Sequence, residues 1–243
     1  MHMNKYYIGL GLVVLIFGIL VIPEIVDRVQ HKETVTSSRS DGREERAASR
    51  KDLAYIGSEG ARRKVPDFQF VNQRGDTITD EDYLGKVYVV EFFFSTCPSI
   101  CPIMKKNLLE VQEVFMKEND FGIASFSIDP AHDTPKVLQE YADRIGVKHP
   151  NWNLMTGSRE EIYDLANTGF SLFAGEDEEA EGGFAHSGYF ALVDKEGFIR
   201  SRRDEFGNPI IYYKGSIPMG TPAAPSGERP QVDILISDIK KLL

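Results

Sequence analysis

The stretch KVYVVEFFF, residues 86–94, places the tightest limit on how this chain can fold. It is a nearly continuous run of β-branched and aromatic residues, which is typical of a central strand covered on both faces. The following segment, 98–117, carries apolar residues such as Leu108 and Phe115 at helical spacing and predicts a helix. A buried strand that leads directly into a helix favours an α/β layer fold.

The remainder of the folded region alternates between strand and helix patterns in the same way. The predicted elements are hairpins at 67–79 and 189–201, strands at 122–129 and 152–155, and helices at 133–146, 158–169 and 232–243. A chain of 243 residues suits one such domain with appendages. We therefore predict a single α/β domain over 61–243, with an inserted hairpin and a Pro/Gly-rich loop at 201–230.

The N-terminal segment predicts a membrane anchor. Residues 6–23 contain no charged residue and are long enough to span a bilayer. A cleaved secretory signal is the alternative, but no small-x-small cleavage site follows Pro23. We predict a transmembrane helix within 1–23 and a polar, solvated tether over 24–60. This arrangement favours a bacterial inner-membrane location, with the domain on the periplasmic side.

Charge and cysteine usage exclude two classes of protein. The formal net charge of −9 argues against a nucleic-acid partner, because phosphate binding needs a basic face. Two cysteines cannot form the multi-bridge framework of a small secreted domain. Because Cys97 and Cys101 lie within five residues of each other, a bridge between them would stabilise little. The two cysteines are therefore either small buried core residues or chemically active groups.

The position of the two cysteines favours chemistry. The run 86–94 leads directly into them, at the strand-to-helix turn where α/β folds place their sites. With Pro98 as the first helical residue, Cys97 would lie near the N-cap, where the helix dipole favours a thiolate. Cys101 would follow one turn later on the same face. Pro102, in the second turn, is expected to distort the helix.

The spacing of the cysteines favours a metal over simple redox exchange. A thioredoxin-type oxidoreductase would carry C-x-x-C, whereas Cys97 and Cys101 form C-x-x-x-C. Two thiolates form a soft site, which selects Cu(I) over zinc when only three ligands are present. Such a site needs a third ligand from elsewhere in the chain.

Five histidines are available as the third ligand. Two of them, His2 and His31, lie outside the predicted domain. His132 and His149 fall in turns and are expected at the surface. His186 ends a loop just before a predicted strand, where its side chain would project from the end of the sheet. From its sequence position alone, His186 could be either a structural histidine or a ligand.

Three motifs together resemble the Sco/SenC family. They are FSTCPSICP at 94–102, SIDPAHDTP at 127–135, and His186-Ser187 ahead of LVDKEG at 192–197. The resemblance covers roughly residues 66 to 200 in the correct order. It implies a thioredoxin-like fold and copper held by Cys97, Cys101 and His186. It also implies Asp129 as a neighbouring group that is not itself a ligand, although Asp129 could equally be a turn residue before Pro130.

The resemblance further implies a copper metallochaperone that serves the dinuclear copper site of cytochrome c oxidase subunit II. In this hypothesis, a mobile loop carrying His186 controls the release of Cu(I), with Cu(II) as a further bound state. The main alternative is a thiol-disulfide reductase that keeps the partner's copper-binding cysteines reduced, so enzymatic activity stays open. A peroxidase and a copper sensor are weaker alternatives. The acidic run 176–183 is interpreted as a solvated loop, with a docking patch as the alternative.

Overall fold

The computed structural model describes residues 53–57, 62–177, 179–180, 182–204, 206–223 and 227–243. Over these ranges, the strands are β1 (Ala54–Tyr55), β2 (Gln69–Asn72), β3 (Thr77–Thr79), β4 (Val87–Phe93), β5 (Phe121–Ser127), β6 (Trp152–Thr156), β7 (Ala174–Glu176), β8 (Phe184–His186), β9 (Tyr189–Val193), β10 (Ile199–Ser201) and β11 (Tyr213–Lys214). The α-helices are α1 (Cys101–Phe115), α2 (Pro135–Ile145), α3 (Arg159–Asp164) and α4 (Val232–Leu242).

The main sheet confirms the α/β prediction. Its strand order is β1-β10-β9-β4-β5-β6-β2-β3, with β11 also pairing with β9. The central strands β4, β5 and β6 are parallel, and the outer pairings are antiparallel. All seven residues of β4 are buried, as its apolar sequence predicts for a strand covered on both faces. Helices α1 and α4 pack together, and α2 packs against β6 and β2.

The N-terminal edge of the sheet begins earlier than predicted. Ala54 and Tyr55, which the sequence interpretation assigned to the tether, form β1 and pair with Ser201 and Arg200 of β10. Arg200 also donates a hydrogen bond of 2.8 Å to the carbonyl of Leu53. The folded unit therefore starts before residue 61.

The predicted anchor at 1–23 lies outside the described residues. Among the residues that are described, no helix combines the length and hydropathy required to cross a bilayer.

The insertion lies between β10 and β11, which both pair with β9. Strands β10 and β11 pair with successive parts of β9. Between them the chain leaves the sheet, makes an isolated bridge from Arg203 to Pro209, and returns through a tight turn at Ile211. Beyond β11, the side chain of Asn107 on α1 donates to the carbonyls of Gly215 and Ile217, each at 2.8 Å. The insertion is thereby attached to the helix that begins with Cys101.

Candidate metal centre

The two cysteines lie where β4 passes into α1. Cys101 is the first residue of α1, whereas Cys97 lies in the preceding loop, which corrects the prediction of a helix from Pro98. The backbone N–H of Cys97 donates to the carbonyl of Phe94 at 3.3 Å. Both side chains are largely buried, with 8% of Cys97 and 1% of Cys101 exposed, so a ligand there would be shielded from water.

Pro102 also differs from expectation. It is the second residue of α1 and lies in the first turn, where backbone N–H groups have no intrahelical acceptor. A proline there removes no helical hydrogen bond. The predicted distortion of the helix by Pro102 is therefore wrong.

A buried carboxylate, Asp133, holds the cysteine loop in place. Its Oδ2 accepts from the backbone N–H of Ser95 at 2.9 Å and from the hydroxyl of Ser127 at 2.5 Å. Its Oδ1 accepts from the Ser95 hydroxyl and faces Nδ1 of His132 at 2.9 Å. The sequence interpretation did not single out Asp133. Its signals in the sequence were its place in the motif SIDPAHDTP and its position beside Thr134, the N-cap of α2.

His186 lies on a small hairpin outside the main sheet. Strands β7 and β8 pair with each other, and His186 stands opposite Ala174 at the end of β8. The residue is therefore in a strand and not at the end of a loop as predicted. At the turn of the hairpin, Gly182 has a φ of +91°, and a Cβ there would lie 2.7 Å from Phe94 Cε2. Glycine is required at this position by both backbone conformation and space.

The fold brings the three predicted ligand residues together. Nε2 of His186 lies 3.1 Å from Sγ of Cys101. The two sulfurs and a ring nitrogen of His186 all lie within 4.8 Å of one another, and the cysteines are free thiols. Nδ1 of His186 faces the carbonyl of Ser187 at 3.2 Å. When Nδ1–H donates to that carbonyl, Nε2 presents its lone pair to the sulfurs.

The two thiols have opposite acidities. A hydrogen bond from Cys101 lowers the pKa of Cys97 to about 3, against an opposing effect of burial and with help from His186 and from backbone amides. The same hydrogen bond and burial raise the pKa of Cys101 far above its usual value. The prediction that Cys97 is the more acidic sulfur is confirmed, but its main cause is the neighbouring thiol and not the start of a helix. The pair therefore shares one negative charge.

A buried ion pair lies one helical turn beyond Cys101. The ammonium of Lys105 contacts Oε1 of Glu91 in β4, and both side chains are almost fully buried. Ser125 donates to the same carboxylate oxygen at 2.6 Å and accepts from the indole of Trp152 at 3.0 Å. The apolar pattern of 86–94 gives no indication that Glu91 has a buried partner.

Asp129 and the histidines that the sequence analysis set aside are not members of the three-residue cluster in the described part of the chain. Among the described residues, the Asp129 carboxylate forms no hydrogen bond with the ligand residues; its backbone carbonyl accepts from the N–H groups of His132 and Asp133 in a turn. The His132 side chain is half exposed. His149 is buried, which corrects its predicted surface position, and burial lowers its pKa. His2 and His31 lie outside the described residues.

The donor set defines what this site can bind. Two sulfurs and an imidazole nitrogen are soft to intermediate ligands, which favour Cu(I) among the common biological metals. Structural zinc sites require a fourth protein ligand, and in the described part of the chain the cluster contains three. The two adjacent thiols can also form a disulfide, so the same residues are capable of redox exchange.

Comparison with known proteins identifies close relatives of the domain. A profile of the SCO1/SenC family matches residues 57–214. The chain is 35% identical to the SCO1 protein homolog of Bacillus subtilis over 138 residues, which cover 56% of this chain and 71% of the relative.

Solved structures give the same result. A SCO1/SenC family lipoprotein from Bacillus anthracis superposes with a TM-score of 0.60 at 28% identity, covering 77% of this chain and 99% of the other. BsSco, a member of the Sco family of cytochrome c oxidase assembly proteins with a disulfide switch, gives a TM-score of 0.58 at 30% identity, with coverages of 74% and 93%. The mixed α/β arrangement is thus the thioredoxin-like fold of Sco proteins.

Proposed function

The chain belongs to the SCO1/SenC family, and from this premise we propose that it binds one copper ion through Cys97, Cys101 and His186. The observation that carries the proposal is the 3.1 Å approach of His186 Nε2 to Cys101 Sγ, within a cluster whose ligand atoms all lie within 4.8 Å. Cu(I) is the form that this donor set favours, because two of the three ligands are sulfur. Cu(II) is a further state that the imidazole would support.

The proposed role is copper delivery to the dinuclear site of cytochrome c oxidase subunit II. Cu(I) would leave by ligand exchange, in which the acceptor's thiolates replace His186 and then the two sulfurs. The imidazole is suited to leave first, because it lies on a separate two-stranded hairpin while Cys101 begins a buried helix. We further propose that the domain acts on the periplasmic face of a bacterial inner membrane, held there by the anchor at 1–23.

One observation also supports a reductase role. The lowered pKa of Cys97 makes it a thiolate at neutral pH, and the Cys101 thiol lies beside it. The Cys97 thiolate would attack a partner disulfide, form a mixed disulfide and release one partner thiol. Cys101, after losing its proton, would then displace the second thiol and leave a Cys97–Cys101 disulfide. This reaction needs no contribution from His186 as a ligand.

A copper competition titration tests the proposal. The reduced protein is titrated against a Cu(I) chelator as wild type, His186→Ala and the control His132→Ala. We expect His186→Ala to weaken copper binding at least about tenfold, because one of three ligands is lost. His132→Ala should bind like wild type, since His132 is not in the cluster. Unchanged affinity in His186→Ala would overturn the three-ligand site.

A thiol-exchange assay with a small disulfide separates the two roles. His186→Ala should still reduce the disulfide, whereas Cys97→Ser should lose that activity and weaken copper binding. If His186→Ala lost exchange and kept copper, the assignments of the two activities would be reversed.

A further inference from the structure

A second concave site lies away from the three cysteine and histidine ligands. It is a cleft of about 850 Å³ lined by described residues on the C-terminal side of β1, by Ser171, by the first residue of β9 and by residues 210–212 of the insertion. Its lining includes Arg62, Arg63, Tyr189 and Ile211, and none of the three proposed copper ligands contributes to it. A volume of this size is within the range of pockets that hold extended organic ligands, and it is far larger than a simple anion requires.

Two non-glycine residues in the wall of this cleft have a positive φ. Within the described ranges, the non-glycine residues with positive φ are Ser171, at +53°, and Ile211, at +70°, and both line the cleft. Ile211 is the centre of a γ-turn in which the N–H of Tyr212 donates to the carbonyl of Ile210 at 3.0 Å. A β-branched residue is disfavoured at this φ, and strain of this kind clusters at binding sites.

The residues that follow Ile211 fix the strained turn through a hydrogen bond and a strand pairing, and the side chain of Ile211 remains exposed. The hydroxyl of Tyr212 donates to the carbonyl of Phe170, and Tyr212 itself is buried. The next residue, Tyr213, pairs with Phe190 in the sheet. Ile211 is 49% exposed, and Tyr189, which also lines the cleft, is 37% exposed. Two apolar side chains are thus presented on a rigid frame.

The charged side of the cleft is cationic on a chain whose net charge is −9. The guanidinium of Arg62 lies 4.0 Å from the centre of the Tyr55 ring, opposite a second guanidinium from Arg200 at 3.9 Å. Arg63 donates to the Ser171 hydroxyl at 2.9 Å and to the carbonyl of Thr168. Among the described residues, neither Arg62 nor Arg63 forms an ion pair with a carboxylate. In the described part of the chain, both guanidinium groups contact neutral groups, which are the Tyr55 ring for Arg62 and hydroxyl and carbonyl oxygens for Arg63.

We propose that this cleft binds an acidic segment of a partner protein, with a carboxylate on Arg62 and Arg63 and an adjacent apolar side chain against Ile211 and Tyr189. Arginine pairs favourably with carboxylates through parallel N–H groups, and the exposed apolar residues add contacts that a free phosphate could not use. A concave site of this volume also suits a peptide better than a flat lipid surface. The proposal is independent of copper binding, because it uses none of the three ligands.

Fluorescence anisotropy tests the proposal with the full chain in detergent micelles. The probe is a fluorescein-labelled hexapeptide with blocked ends and alternating aspartate and leucine. We expect saturable binding that Arg62→Glu weakens by about tenfold or more, since a favourable charge becomes repulsive. Lys117→Glu makes the same charge change at an exposed residue beyond α1 and should leave the affinity unchanged.

A second variant tests the apolar side. Ile211→Asn removes the apolar contact while keeping a residue type that tolerates positive φ, so the turn should remain folded. It should also weaken the probe, and a hexapeptide of alternating aspartate and serine should bind the wild-type chain less tightly. Equal binding of the probe by wild type, Arg62→Glu and Ile211→Asn would overturn the proposal. Displacement of the probe by glycerol phosphate as efficiently as by unlabelled peptide would also overturn it, in favour of a phosphate or lipid-headgroup site.

Discussion

Nε2 of His186 lies 3.1 Å from Sγ of Cys101, although 85 residues separate the two in the chain. One member of the pair begins a helix of the main domain and the other ends a strand of a separate hairpin. The distance therefore depends on where the hairpin is held. Phe94 contributes to that position, because its ring makes an edge contact with the His186 imidazole at 5.9 Å between centroids.

Gly182→Ala should weaken copper binding without changing a ligand. The new Cβ would lie 2.7 Å from Phe94 and would displace the hairpin that carries His186. Gly183→Ala is the matched control: its φ is also positive, at +80°, but no atom of the described residues lies within 4 Å of its new Cβ. Copper competition should therefore separate the two variants, with Gly182→Ala the weaker binder. Equal affinities would show that contact with Phe94 does not position the imidazole.

Lys105→Met should destabilise the domain by about 3–5 kcal/mol, because it leaves the Glu91 carboxylate buried without its countercharge. Oε2 of Glu91 already lacks a hydrogen-bond partner among the described residues, so its local environment offers little compensation. Urea unfolding followed by circular dichroism would measure the free energy. The exposed neighbour, changed as Lys106→Met, should alter it by no more than about 0.5 kcal/mol.

The double variant Glu91→Leu/Lys105→Met should recover much of that loss, because replacing both charges removes the unpaired group. If the double variant is as unstable as the single one, packing and not charge is the dominant contribution of Lys105.

Cys97 should remain a thiolate in mildly acidic solution in the metal-free protein. Its pKa is lowered to about 3, so at about pH 5 the sulfur is still deprotonated. Because the first cause is the hydrogen bond from Cys101, Cys101→Ala should raise the pKa and reduce the thiolate population at that pH. Ultraviolet absorbance of the thiolate as a function of pH measures both values. Superimposable titrations of Cys97 in the two proteins would contradict the role of Cys101.

The stability of the domain should fall as the pH decreases through about 6.5, in part because of His149. Burial lowers the pKa of this imidazole in the folded state below its usual value of 6.5, so the unfolded chain binds a proton more readily. The contribution of the neutral His149 side chain to stability is fully present above the unfolded pKa of 6.5. It decreases as the pH falls from that value through the lower pKa of the folded state. His149→Gln should flatten this part of the profile of unfolding free energy against pH. A profile identical to wild type would assign the acid sensitivity to other groups.

The local sequence predicted the central features well. The apolar pattern of 86–94 identified β4, and its junction with the two cysteines identified the site, because strand burial and the strand-to-helix turn are both encoded by neighbouring residues. The position of His186 beside the sulfurs was expected only from the resemblance to Sco proteins. Pairings across the chain, such as β1 with β10 or the hairpin of β7 and β8, have no comparable local signal.

The errors have a common physical origin in contacts between distant segments. Residues 98–100 were predicted to be helical, but the loop before α1 is fixed by Asp133, which lies 38 residues from Ser95. His149 occupies a turn, yet it is buried against Phe121 and its Nδ1 accepts from the N–H of Asn151. The ion pair of Glu91 and Lys105 joins a strand to the next helix inside an otherwise apolar run. A charged residue within an apolar strand sequence therefore predicts a buried partner of opposite charge.

The hairpin of β7 and β8 shares no backbone pairing with the nine-stranded sheet in the described ranges. Changes that lengthen, shorten or stiffen this hairpin would move His186 relative to the two sulfurs while the strand pairing of the main sheet stays in place. In the proposed function, the lifetime of the bound copper therefore depends on a hairpin that can change without altering the strand pairing of the main sheet.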